Sequence, residues 1–184
     1  MTIPVRQLFR LLAVSFVLHE AEEWNIASWE HAHFTPPPRF DDFAARTLLG
    51  LFSILCVSFT ALALRFLTPR NAAIALLPLF VAVVFGNALT HIFWLFYFGS
   101  YAPGVVTAAF LLVPLTLHLV HRVLREDLAP RLYVWVLLAL AAVQPLGAAL
   151  AGSTLSESQL ALQSLCMRLS QWIWSTGLAG WSER

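Results

Sequence analysis

Three carboxylates in four residues close an apolar run: Leu11–Leu18 is followed at once by His19-Glu20-Ala21-Glu22-Glu23. On a helix, spacings of three and four set Glu22 and Glu23 on either side of the His19 face. Glu20 points about 100° away from His19 and is expected to matter less. An imidazole beside carboxylates can hold a divalent metal or move protons. A second polar pair, Asn87 and His91, shares one helical face in an apolar run with Phe85, Leu89, Ile92, Phe93 and Trp94. Gly86 beside it leaves room for a neighbouring backbone. A third group, His118 and His121, follows Pro114, whose ring frees the carbonyl of Phe110 and predicts a kink.

The elements that position these groups are dictated by composition. The 184 residues are 59% hydrophobic and 11% charged, with mean hydropathy +0.75. Soluble domains are about 45–50% apolar and about 25% charged. The expected fold is all-α: a polytopic transmembrane bundle of about five spanning helices plus a C-terminal interfacial helix. At about 20 apolar residues per span, the helices are expected near 5–28, 44–67, 72–98, 104–124 and 131–151. Residues 1–152 then form the bundle and 153–184 an amphipathic tail. There Thr154-x-x-Glu157 is a capping-box pattern, and leucines recur at helical spacing. The 30–43 stretch, with Pro36-Pro37-Pro38, is expected to be a connecting loop or a lid.

The cations are all arginine, a bias that fits a bacterial source. Arg6, Arg10, Arg65, Arg70, Arg122, Arg125 and Arg131 fall on one side of the predicted bundle. By the positive-inside rule that side is cytoplasmic, with the N-terminus inside the inner membrane. A net charge of +1 argues against nucleic acid as a partner. The expected partners are membrane lipid and a hydrophobic small molecule. Cys56 and Cys166 form no disulfide framework or cysteine-based zinc site.

Helical rise sets the depths. Glu22 and Glu23 lie roughly 22–24 Å above the inner boundary, level with Asn87. His91 is one turn higher, and His118 falls within about 3 Å of the Asn87 level. An ionised carboxylate at bilayer depth costs roughly 2.5–3.5 kcal/mol, so the glutamates need partners or an internal polar cavity. The plainer alternatives are an interfacial helix end for His19, Glu22 and Glu23, and packing glue between helices for Asn87 and His91.

Three motifs in order carry a resemblance. Leu18-His19-x-x-Glu22-Glu23, Asn87-x-x-x-His91 and Tyr101-x-Pro103-Gly104-x-x-Thr107 resemble the HXXEE family of bacterial membrane proteins, over roughly residues 8–120. The resemblance implies a helical bundle and a suspected site built from the His, Glu and Asn positions. It implies no substrate, and His118 is not part of it.

Three functions fit these residues. The first is a membrane-embedded metalloenzyme for a lipid- or isoprenoid-like substrate. Its metal (zinc, iron or manganese) would be held by His19, Glu22, Glu23 and His91, with His118 as an outlying candidate. The second is a metal-free cyclase or isomerase, with Glu22 or Glu23 as acid and aromatic faces shielding a cation. Phe85, Phe93, Trp94 and Tyr101 are the candidate substrate-binding residues. The third is a non-catalytic transporter or binding subunit.

Overall fold

The computed structural model describes residues 3–155 together with Leu160, Ala161, Ser164, Leu165, Met167, Arg168, Gln171, Trp172 and Ser175. Six helices form the bundle, with no strand among the described residues. They are α1 (Val5–Glu22), α2 (Ile26–His33), α3 (Asp42–Phe66), α4 (Pro69–Phe98), α5 (Val105–Arg125) and α6 (Arg131–Ala151). The last four are each long and apolar enough to cross a membrane. Helix α1 is long enough but carries Arg6, Arg10, Glu20 and Glu22 in its 18 residues. The tail expected to form an interfacial helix lies largely outside the described residues, including Glu157 of its capping-box pattern. Leu155 and Leu160 pack on Phe34.

The expected helix over 5–28 breaks after Glu22. Arg46 of α3 explains the break locally. Its Nε donates to the Trp24 carbonyl at 3.0 Å and its Nη2 to Asn25 Oδ1 at 2.8 Å, so backbone and side chain at the break are held from outside. Chain resumes as α2, whose Ser28 hydroxyl donates to Asp42 at 2.6 Å. The start of the expected 30–43 loop is therefore helical, up to His33.

Helices α3 and α4 begin at side-chain caps. Asp41 accepts from the Ala44 amide and Thr68 from that of Asn71, with Pro69 pre-set for the first turn. Helix α4 then widens to π-type turns over Pro78–Phe85. Pro78 lacks an N–H, so the Ile74 carbonyl loses its donor; the Tyr133 hydroxyl of α6 replaces it at 2.9 Å. Gln144 of α6 donates to the Ala82 and Val83 carbonyls at 3.1 and 3.3 Å. A second wide stretch, Ala108–Leu112, precedes Pro114 in α5, where the sequence predicts a kink. Such insertions change the face on which the following side chains emerge.

The core lies where α1 meets α4 and α5. Leu8, Leu12, Leu76, Leu77, Phe80, Leu112 and Leu119 are fully buried there. Small residues (Ala72, Ala73, Ala88, Ala108, Ala141) allow close helix approach, the packing device of membrane bundles. Gly86 does the same: an added Cβ would stand 2.9 Å from the Ala141 carbonyl oxygen. The outer faces are apolar as well, with Ile54, Phe66, Phe96, Phe110, Leu132 and Leu150 exposed. Exposed apolar surface on this scale marks contact with lipid or partner rather than water.

Candidate metal centre

The last turn of α1 aims His19 inward, and Glu23 follows as its C-terminal cap. His19 is 0% exposed, Glu23 6% and His91 2%. His19 Nε2 stands 2.7 Å from Glu23 Oε1, and His91 Nε2 stands 2.9 Å from the same oxygen. The three ligand-type atoms lie within 4.8 Å of one another. Asn87 Nδ2 reaches His19 Nε2 at 3.2 Å and Glu23 Oε1 at 3.5 Å. The two histidine rings meet edge-on, with centroids 5.0 Å apart.

The proton on His19 can be placed from its other side. Nδ1 lies 3.0 Å from the Gly104 carbonyl, which can only accept, so Nδ1 is the donor. Thr107 Oγ1, 2.9 Å from Nδ1, passes its own proton on to Glu22 Oε2 at 2.6 Å. With Nδ1 donating, a neutral His19 turns a lone pair from Nε2 towards the Glu23 carboxylate, and a protonated one turns an N–H. Two acceptors at 2.7 Å need a cation or a proton between them. An imidazole fixed in angle by a hydrogen bond at its far nitrogen could ligate a metal or share a proton at this position.

Glu22 and Glu23 are neighbours with separate tasks. Glu22 turns out of the cluster to the start of α5. It accepts from the amides of Val106 and Thr107 at 3.0 and 2.8 Å, and from the hydroxyls of Tyr101 and Thr107 at 2.7 and 2.6 Å. The first-turn amides of a helix have no internal partner. Here a carboxylate from another helix supplies it, favoured by the helix dipole. Burial, with Glu22 accepting its proton's hydrogen bond, pushes the Tyr101 hydroxyl up to about 12. Gly104 completes the turn at φ +87°, and an added Cβ there would lie 2.7 Å from His19 Cε1 and 3.0 Å from Glu23 Oε1.

A cavity of about 540 Å³ opens beside the cluster, between α1, α3, α4 and α6. Its polar lining is Glu20, Glu23, Asn87 and Gln144; the rest is apolar, with Phe16, Phe52 and Phe59 as its aromatics. Phe52, Leu55, Phe59 and Val83 are exposed on the outer surface, so the mouth faces where lipid would lie. A cavity of this size suits a small-molecule site.

The sequence-predicted residues thus divide. His19, Glu23, Asn87 and His91 converge, as the depth argument predicts. Glu22 serves the site through Thr107 and is not in the cluster. His118 is exposed on α5 and is not brought to it. None of the four aromatics expected to bind substrate lines the cavity. Phe85 is buried, Phe93 stacks on Tyr97, Trp94 packs edge-on against His91, and Tyr101 binds Glu22. Nearness in sequence does not set direction: at about 100° per residue, Phe85 and Phe93 project about 160° and about 120° from Asn87. Glu20, expected to matter less, lines the cavity. Gln144 was detectable only as a polar residue in an apolar span.

A helical bundle with four membrane-length apolar helices and a buried His–Glu–His group that could hold a metal defines a membrane-type protein with a candidate metal centre. The chain belongs to the family described as proteins of unknown function with an HXXEE motif, whose model matches residues 10–119. The motif itself is His19-x-x-Glu22-Glu23. No curated protein and no solved structure matches the chain.

Proposed function

We propose that the protein is a membrane-embedded enzyme that acts on a lipid- or isoprenoid-like molecule at a metal centre held by His19, Glu23 and His91. The observation that carries this reading is the convergence of three ligand atoms on one point beside a laterally open apolar cavity. Two imidazoles and one carboxylate are the donor set of catalytic zinc sites, which keep a position open. Zinc, iron and manganese all suit these donors. A metal there would supply Lewis acidity and an activated water. The chain's own part is to fix the ligands: Thr107 and Gly104 hold the His19 ring, and Asn87 donates towards Glu23. The arginine-rich side is read as cytoplasmic, with the protein in a bacterial inner membrane and its N-terminus inside.

The second reading is metal-free acid–base chemistry on the same kind of substrate. It is favoured by the short approaches from both histidines to Glu23, which a shared proton also explains. Metal analysis of the purified, detergent-solubilised protein decides between them. The metal reading expects about one divalent ion per chain, lost in His91→Ala together with activity. A metal-free wild type that keeps full activity in chelator refutes it. If Glu23→Gln then abolishes turnover, the acid–base reading leads. If Glu23→Gln turns over normally as well, the binding-subunit reading leads.

A further inference from the structure

Glu20 is the one carboxyl group of the α1 motif with no task in the cluster or the cap. It is 5% exposed, lines the cavity, and its Oε2 atom is buried without a hydrogen-bond partner. A buried carboxyl oxygen left unpaired costs free energy, so a group that ends on it is strongly favoured. The cavity around it is otherwise a hydrocarbon slot. Leu49, Leu55, Leu79 and Val84 wall it, and it opens on the lipid-facing side of α3 and α4. Its further polar groups are Asn87 and Gln144. The Asn87 amide N–H is directed at His19 and Glu23, and the Gln144 amide N–H at α4 carbonyls. What the slot offers a ligand head is therefore mainly acceptor oxygen.

We propose that this cavity binds a long-chain alcohol, with its hydroxyl on Glu20 and its hydrocarbon tail running out between α3 and α4. Three chemical features select a hydroxyl. It hydrogen-bonds to a carboxyl group in either protonation state, because it both donates and accepts. A phosphate or carboxylate head would meet Glu20 and Glu23, with no lysine or arginine in the lining. An ammonium head would have to leave water for an apolar slot, and the other carboxylate in the lining, Glu23, is already engaged by two histidines. The tail needs no polar contact, in keeping with the apolar mouth. The inference deepens the proposed function by naming the substrate class and rests on that reading for the alcohol's role as substrate. Binding itself is read without turnover.

The test uses the full-length protein in lipid nanodiscs and a photoactivatable diazirine analogue of hexadecanol. Labelling is mapped to peptides, and hexadecane, hexadecylamine and palmitic acid serve as competitors. Metal content is measured on the same samples. The expected result is labelling on the α3 segment around Phe52–Phe59, with hexadecanol competing about tenfold better than hexadecane, the worth of one good hydrogen bond. Glu20→Leu should bring that ratio to within about twofold, whereas Glu20→Gln, still a hydrogen-bonding side chain, should keep most of it. Leu55→Trp should block labelling at the mouth and leave metal content unchanged. Equal competition by alkane and alcohol, stronger competition by amine or acid, or a Glu20→Leu variant that still prefers alcohol overturns the proposal. Alcohol selectivity without metal leaves this inference standing and removes the metal reading; metal without alcohol selectivity does the reverse.

Discussion

Gly104→Ala separates backbone strain from damage to the site. Gly104 and Gly99 both have positive φ, +87° and +62°. Alanine in that region costs about 1–2 kcal/mol wherever it is placed. At Gly99 the new Cβ would meet nothing within 4 Å. At Gly104 it would lie 2.7 Å from His19 Cε1, against an ordinary contact of at least 3.4 Å, so the ring must move by 0.7 Å. Ligand distances in metal sites tolerate about 0.2 Å. Both variants should therefore lose thermal stability to backbone strain, Gly104→Ala more because its Cβ also intrudes on His19, and on the metal reading Gly104→Ala alone should fail to hold a divalent ion. The assay is metal stoichiometry by elemental analysis alongside a thermal melt for each variant. A Gly104→Ala protein with wild-type metal content would refute the argument that this turn sets the ligand geometry. Equal metal loss in Gly99→Ala would show that backbone strain, not intrusion, is responsible.

Three further outcomes follow from the geometry. Glu22→Gln should weaken metal binding about 10- to 100-fold, because Thr107 loses the acceptor that orients it towards His19; a metal titration checks this, and unchanged affinity counts against the relay. Tyr133→Phe should cost about 1 kcal/mol in a denaturation assay, since the Ile74 carbonyl freed by Pro78 loses its replacement donor. Glu30 on α2 has its Oε2 buried without a partner, and burial together with the Glu23 carboxylate pushes its pKa up to about 7. Between its ordinary 4.5 and about 7, the folded protein holds a proton that the unfolded chain has released. Stability should thus fall as pH rises through that window, and Glu30→Gln should flatten the slope in melts between pH 5 and 8.

The segments legible in the sequence were those decided by local pattern. The bounds of α3 to α6 follow from runs of apolar residues between arginines and caps. That His19 and Glu23 lie level with Asn87 follows from helical rise, which matches depths and leaves the choice of helix neighbours to packing. What was hidden depends on groups distant in the chain. The break after Glu22 is held by Arg46, on another helix. Phe85 and Phe93 point away from the cavity because they stand about 160° and about 120° round the helix from Asn87, and nearness in sequence does not convey direction. Glu20 is hidden from a reading of the His19 face because it projects about 100° away on the same turn, where α3 and α4 leave a cavity. Adjacency in sequence does not tell which of Glu22 and Glu23 caps a helix whose amides come 84 and 85 residues after Glu22.

That cap has a consequence for how the bundle is made. Helix α1 is synthesised before α4 and α5, but the amides that satisfy Glu22 belong to residues 84 and 85 positions later. His91, which shares Glu23, comes 68 residues after it, the difference of the two positions. Until α4 and α5 emerge, α1 carries carboxylates whose entry into lipid is unfavourable. Burial of its polar end is therefore a property of the assembled helices rather than of its own hydrophobicity. The partners of the polar end of α1 therefore exist only once α4 and α5 have been made, so its burial reports that the chain has been completed at least to Thr107.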